Sequence, residues 1–171
     1  MDAKSILQLV LAALLSGAVA SSIIGVIFHR YVTRIEQEIK SQHTWKEQSV
    51  SSLLGPVNMQ LDRTKRAFDR WTAKNLYLEA KVIKEGNQTI RDLLLAKGHL
   101  IPPELLEDAG KLIEHYDVWL EKFEKQRLAN KPDLDSAFTF VGPEGYPFPR
   151  QSADRFQEKF RDYWKELYGN G

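Results

Sequence analysis

From Ile6 to Phe28 the chain carries no Asp, Glu, Lys, Arg or Pro. A helix needs roughly 20 mainly apolar residues to cross the hydrocarbon of a bilayer. The run therefore predicts a single-pass transmembrane helix over 6–28. Ala13, Gly17, Ser21 and Gly25 recur every four residues along it, which puts four small side chains on one helix face. Small residues let two backbones approach closely in lipid. This packing face predicts self-association into a homo-oligomer.

A cleaved secretory signal is the competing reading, because Ala18-Val19-Ala20 has the small-x-small pattern that precedes a cleavage site. The apolar part of a signal is typically about 7–15 residues behind a basic start. Here Ser22 to Phe28 prolong the run past the cut, and Met1-Asp2-Ala3-Lys4 offsets its one Lys with an Asp. A retained signal-anchor fits better. Lys and Arg beside a span are held on the cytoplasmic side, and Arg30, Arg34, Lys40 and Lys46 follow the run where only Lys4 precedes it. The expected topology has the amino terminus outside, Tyr31 at headgroup level and a cytoplasmic carboxyl-terminal domain. The chain has no Cys, so a disulfide framework and a cysteine zinc site are both excluded.

Neither Gly nor Pro occurs between Val26 and Leu54, so the helix is expected to continue as a juxtamembrane stalk over 29–52. Val32, Ile35 and Ile39 give it a short coiled-coil-like seam, with an amphipathic linker as the alternative. At Gly55-Pro56 the helix must kink or restart, because proline removes a backbone donor and clashes with the preceding turn. Beyond it Leu53, Val57, Leu61, Thr64, Phe68 and Trp71 mark one helix face. A second helix is expected from about Leu78 to Lys97, with Val82, Ile90, Leu93 and Leu94 inward. Gly86 in its interior suggests close packing or a kink. Pro102-Pro103 starts a third helix running to about Arg127, with Leu105, Leu106, Ala109, Leu112, Ile113, Tyr116, Leu120 and Phe123 inward. Four of the seven prolines fall between Leu128 and Arg150, which rules out continuous helix there. Ser152 is expected to cap a last helix that buries Phe156, Phe160, Tyr163, Trp164 and Leu167 and stops at Gly169. The fold class is thus all-α: an anchor and stalk, then a cytoplasmic bundle of about four helices over 53–171 with one long Pro/aromatic-rich loop.

No arrangement of residues in the sequence builds a reaction centre. His29, His43, His99 and His115 lack the i, i+3 or i+4 partners of a helical metal site. His99 suits the end of the second helix as a cap, and His115 with Trp119 reads as a helix-surface group. No Ser lies in a Gly-x-Ser-x-Gly elbow. Gly142-Pro143-Glu144-Gly145 is a turn rather than a phosphate loop, since it lacks the following Lys. Neither metal nor cofactor is expected. Asn87-Gln88-Thr89 matches a glycosylation acceptor, which matters only in a secretory lumen.

Two surfaces remain as candidate sites. Arg63, Arg66, Arg70 and Lys74 share one helix face and form a candidate anion-binding stripe. Asp62 and Asp69 are interleaved with them, as on an ordinary solvated face. Phe138, Phe140, Tyr146 and Phe148 belong to the long loop and form a candidate partner groove; core closure is the plainer use of such aromatics. The net charge of +1, with signs well mixed, disfavours nucleic acid as a partner. The expectation is a membrane-anchored, self-associating scaffold, in contact with lipid, that presents a helical domain to a protein partner. The alternative is a membrane effector or sensor that binds an anionic ligand: a nucleotide, a lipid headgroup or nucleic acid. Enzymatic activity ranks third.

Overall fold

A computed structural model describes residues 3–70, 75–128 and 147–169, leaving outside the description the side chains of 3, 6, 9–11 and 13–24. All described elements are helical, and the chain divides into two compact units, Met1–Thr44 and Trp45–Gly171. Helix α1 spans Ala3–Ser49, as the absence of Pro from the first 55 residues allows. Among the described residues no helix is long and apolar enough to cross a membrane. The transmembrane helix expected over 6–28 is therefore not supported there. Of the expected packing face, Gly25 is exposed with open space around it, while the side chains of Ala13, Gly17 and Ser21 lie outside the described residues.

The second unit begins at Trp45 rather than at Leu53 because the last turn of α1 is bonded into it. The Trp45 indole N–H donates to the His99 carbonyl at 3.0 Å and the Ser49 hydroxyl to the Leu100 carbonyl at 2.8 Å. Lys46 pairs with Glu166 and lies over the Tyr163 ring. His99 therefore serves through its carbonyl, in a 3-10 turn Gly98–Leu100, and the second helix is closed by Lys97 instead.

A π-helical turn, Val50–Leu54, links α1 to α2 (Gly55–Asp69). It is how the chain absorbs Pro56. The Gly55 N–H reaches back to the Val50 carbonyl, five residues away, which widens the turn where proline offers no donor. The helix is thus re-phased rather than broken. Next come a short α3 (Leu76–Leu78), a π-helical segment Glu79–Lys84 and α4 (Glu85–Ala96). The Asn75 side chain opens α3 by accepting from the Leu78 N–H at 3.1 Å. A 3-10 turn at Pro103–Leu105 leads into α5 (Leu106–Phe123), extended by a π-helical turn Glu124–Leu128. Helix α6 spans Arg150–Tyr168 and stops at Gly169, whose φ of 80° suits glycine.

Helix α2 packs on α4, α4 on α5, α5 on α6, and α6 closes the ring against α2 and the Val50–Leu54 turn. The main core is built from Leu53, Val57, Ile90, Leu112, Tyr116 and Phe156, among others. A smaller cluster of Ala67, Leu78, Ile83, Trp119 and Phe123 lies beside it. Several expectations need correction, among them Trp164, expected inward on α6 but 46% exposed. The π-helical segment shifts the inward face of the second helix, so Glu79, Ile83 and Asn87 are buried while Val82 is only partly so. Leu106 is 55% exposed, because the 3-10 turn before it directs Leu105 inward instead. Ser152 does not cap α6. Its hydroxyl donates to the buried Asp108 carboxylate at 2.9 Å, and Arg155 pairs with the same carboxylate at 2.7 Å, fastening α6 to α5.

Gly86 marks the closest approach of α4 to α2. A Cβ there would stand 2.4 Å from Thr64 Cγ2. Thr64 cannot swing aside cheaply, because its hydroxyl is held by the Gln60 and Leu61 carbonyls. Gly86→Ala is accordingly expected to destabilise the domain by about 1–3 kcal/mol through overpacking, although alanine is the better helix former by about 1 kcal/mol. Adding Thr64→Ser, which removes the obstructing methyl, should restore most of the loss in thermal melts followed by circular dichroism.

Candidate functional site

The four helices leave a cleft of about 560 Å³ along one side of the second unit. Helical spacing explains its walls. Leu61, Thr64, Lys65, Phe68 and Asp69 follow one face of α2 at three- and four-residue steps, and Arg150, Ala153, Asp154 and Gln157 do the same on α6. Helix α5 contributes His115, Tyr116 and Trp119, and α4 contributes Asn87. Phe148 closes one side from the segment just before α6.

The floor is aromatic and buried. Tyr116 is 1% exposed and Trp119 is 4%. The His115 ring meets Tyr116 and Phe148 edge-to-face, at 5.2 and 5.3 Å between centroids, an arrangement that suits the ring quadrupoles. Trp119 stacks on Phe123 at 5.1 Å, which braces it from behind. Burial pushes the Tyr116 hydroxyl's pKa up, so it stays protonated at neutral pH. The mouth is charged in balance: Lys65 and Arg150 are exposed on it, and so are Asp69 and Asp154.

The sequence reading needs correction at His115 and Trp119. Both are buried in the cleft wall, where a helix-surface position was expected. The signal was available in their i, i+4 spacing, in step with Tyr116 and Phe123, but a histidine broke the apolar pattern. Asn87 carried no such signal, because the π-helical segment before α4 resets the phase. Being only 3% exposed, it is also no glycosylation acceptor in the folded domain.

Of the expected groove residues, Phe148 lines the cleft, while Phe138, Phe140 and Tyr146 lie outside the described residues. The basic stripe sits elsewhere. Arg63, Arg66 and Arg70 border a second, shallower groove with Met59, Asp62 and Val82. Arg66 is paired with Asp62 at 2.7 Å, which holds its guanidinium pKa above the usual value. Arg63 donates to the Lys81 carbonyl at 3.2 Å. Two of the stripe's cations are thus already engaged within the domain, and Lys74 lies outside the described residues. Among the described residues no group of three or more His, Asp or Glu is placed to hold a metal ion.

No protein-family model matches this chain, nor does any curated protein or solved structure.

Proposed function

We propose that this chain is a membrane-anchored, self-associating binding protein, with the apolar run over 6–28 as its anchor and the helical unit as its cytoplasmic binding domain. The observation that carries the binding role is the cleft, an apolar, aromatic cavity with a few buried polar groups, which is the ordinary composition of a ligand site. The anchor reading is supported by the uncharged run itself and by Leu7, Val26, Ile27 and Phe28, each more than half exposed on α1. Exposed apolar side chains in such a row call for cover. A bilayer supplies it.

The domain's occupant is a protein partner in the scaffold reading and a small ligand in the sensor reading. The buried Asn87 amide in the cleft favours the second. The engaged arginines move the proposed ligand site away from the basic stripe.

Alkaline carbonate extraction tests the anchor: the protein is expected in the membrane pellet, and recovery in the supernatant would refute it. Topology is testable without background, because the chain has no Cys. Asp2→Cys should react with a membrane-impermeant maleimide on intact cells, and Gln151→Cys only after lysis. Gly17→Ile with Gly25→Ile should weaken crosslinked oligomers, because bulky side chains hold the two helix backbones apart. Unchanged crosslinking would remove the small-residue face from the proposal.

A further inference from the structure

We infer that the cleft binds a small, planar heteroaromatic molecule, uncharged or zwitterionic, whose edge presents a hydrogen-bond donor and an acceptor side by side to the Asn87 amide. This rests on the reading of the cleft as the binding site. Asn87 is 3% exposed and lines the cleft, yet among the described residues no hydrogen bond engages its side chain. Its neighbours in the interior are treated differently. Ser49 is bonded to Leu100, Thr64 to Gln60 and Leu61, Ser152 to Asp108, and Glu79 to Arg127. An amide at the wall of a cleft leaves its donor and acceptor to whatever fills that cleft, water or ligand.

The walls say what that is. A carboxamide offers one acceptor and one NH2 group in a plane, so its best partner is a flat edge with the complementary pair, as when asparagine reads adenine. Phe148, 43% exposed, gives that plane an aromatic surface to lie against, with the Tyr116 and Trp119 rings as an apolar floor. The volume of about 560 Å³ suits a molecule of two fused rings with a substituent. At the mouth Lys65 and Arg150 are offset by Asp69 and Asp154, so a polyanion gains nothing there. A nucleoside satisfies these demands better than a nucleotide.

The test is isothermal titration of the detergent-solubilised full chain with adenosine, adenosine monophosphate and indole. Indole has the ring without the paired edge. Adenosine should bind saturably, at least tenfold tighter than indole and no weaker than the monophosphate. Asn87→Leu should reduce adenosine affinity at least tenfold while leaving the Tm of the unliganded protein unchanged or higher. Equal adenosine binding by Asn87→Leu, or a lowered Tm, would make Asn87 structural and overturn the inference. A monophosphate that binds tenfold tighter than adenosine would overturn it too. Binding of indole without adenosine would sink this ligand class but keep the cleft as a binding site; binding of neither would sink both.

Discussion

Arg127→Met is expected to cost the domain about 3–5 kcal/mol, the usual effect of leaving one charge of a buried pair without its partner. The Arg127 guanidinium lies 2.7 Å from the Glu79 carboxylate, and the two side chains are 1% and 0% exposed. They join the two π-helical segments, Glu79–Lys84 and Glu124–Leu128, across the smaller cluster of Ile83 and Phe123. Removing the cation takes away the Arg127 ion pair of a carboxylate in that apolar setting. Removing both is a different case, because apolar side chains of similar size in place of a buried pair are often neutral or stabilising. Glu79→Leu with Arg127→Met should therefore recover most of the stability that Arg127→Met loses. Guanidinium denaturation of the two variants beside the parent decides it. Against a typical total stability of about 5–15 kcal/mol, the single variant should be visibly less folded at physiological temperature. If the single variant loses less than about 1 kcal/mol, the pair is not buried as described.

Phe156→Ala is expected to cost about 3–5 kcal/mol, from lost transfer energy and the cavity left behind. Phe156 is 1% exposed and packs into the main core. The position matters because α6 follows a long connection that contains four prolines, so its docking depends on side-chain contacts more than on a tight turn. Of the polar fastenings of α6, Ser152 on Asp108 is buried, while Arg155 on Asp108 and Lys159 on Glu104 reach toward solvent. Lys159 sits close enough to hold the Glu104 carboxyl below its ordinary pKa. Exposed pairs of this kind contribute up to about 1 kcal/mol each, so the aromatic core should dominate. Ser152→Ala is the control, with a loss of about 1 kcal/mol. A Phe156→Ala loss no larger than that of Ser152→Ala would mean that α6 is held mainly by its polar bonds.

The sequence was most legible where hydrophobic period and helix punctuation agree. Leu53, Val57 and Leu61 keep three- and four-residue spacing and are buried, and Gly169 ends α6 as its lack of Cβ allows. It was least legible where backbone geometry changes phase without a marker in the residues. Glu79 and Asn87 sit after or within a π-helical segment, and the inward face moves by about one residue there. A regular 3.6-residue count then assigns the burial to Val82. The candidate cleft was half visible: Phe148 belonged to the expected aromatic groove, whereas His115 and Asn87 are polar residues whose burial depends on which helix lies opposite.

By itself the sequence determined the all-helical class, the helix boundaries set by Pro102, Pro103 and Gly169, and the uncharged run over 6–28, because each follows from local backbone chemistry or from transfer of contiguous side chains out of water. The tertiary structure decided the rest. Which arginines are engaged, that Glu79 meets Arg127 across 48 positions, and that Asn87 lines one cleft with aromatic residues of another helix all depend on the packing of distant segments. Such pairings are set by the shape of the whole interior, where each side chain must fill the space its neighbours leave, and no period in a single helix records them.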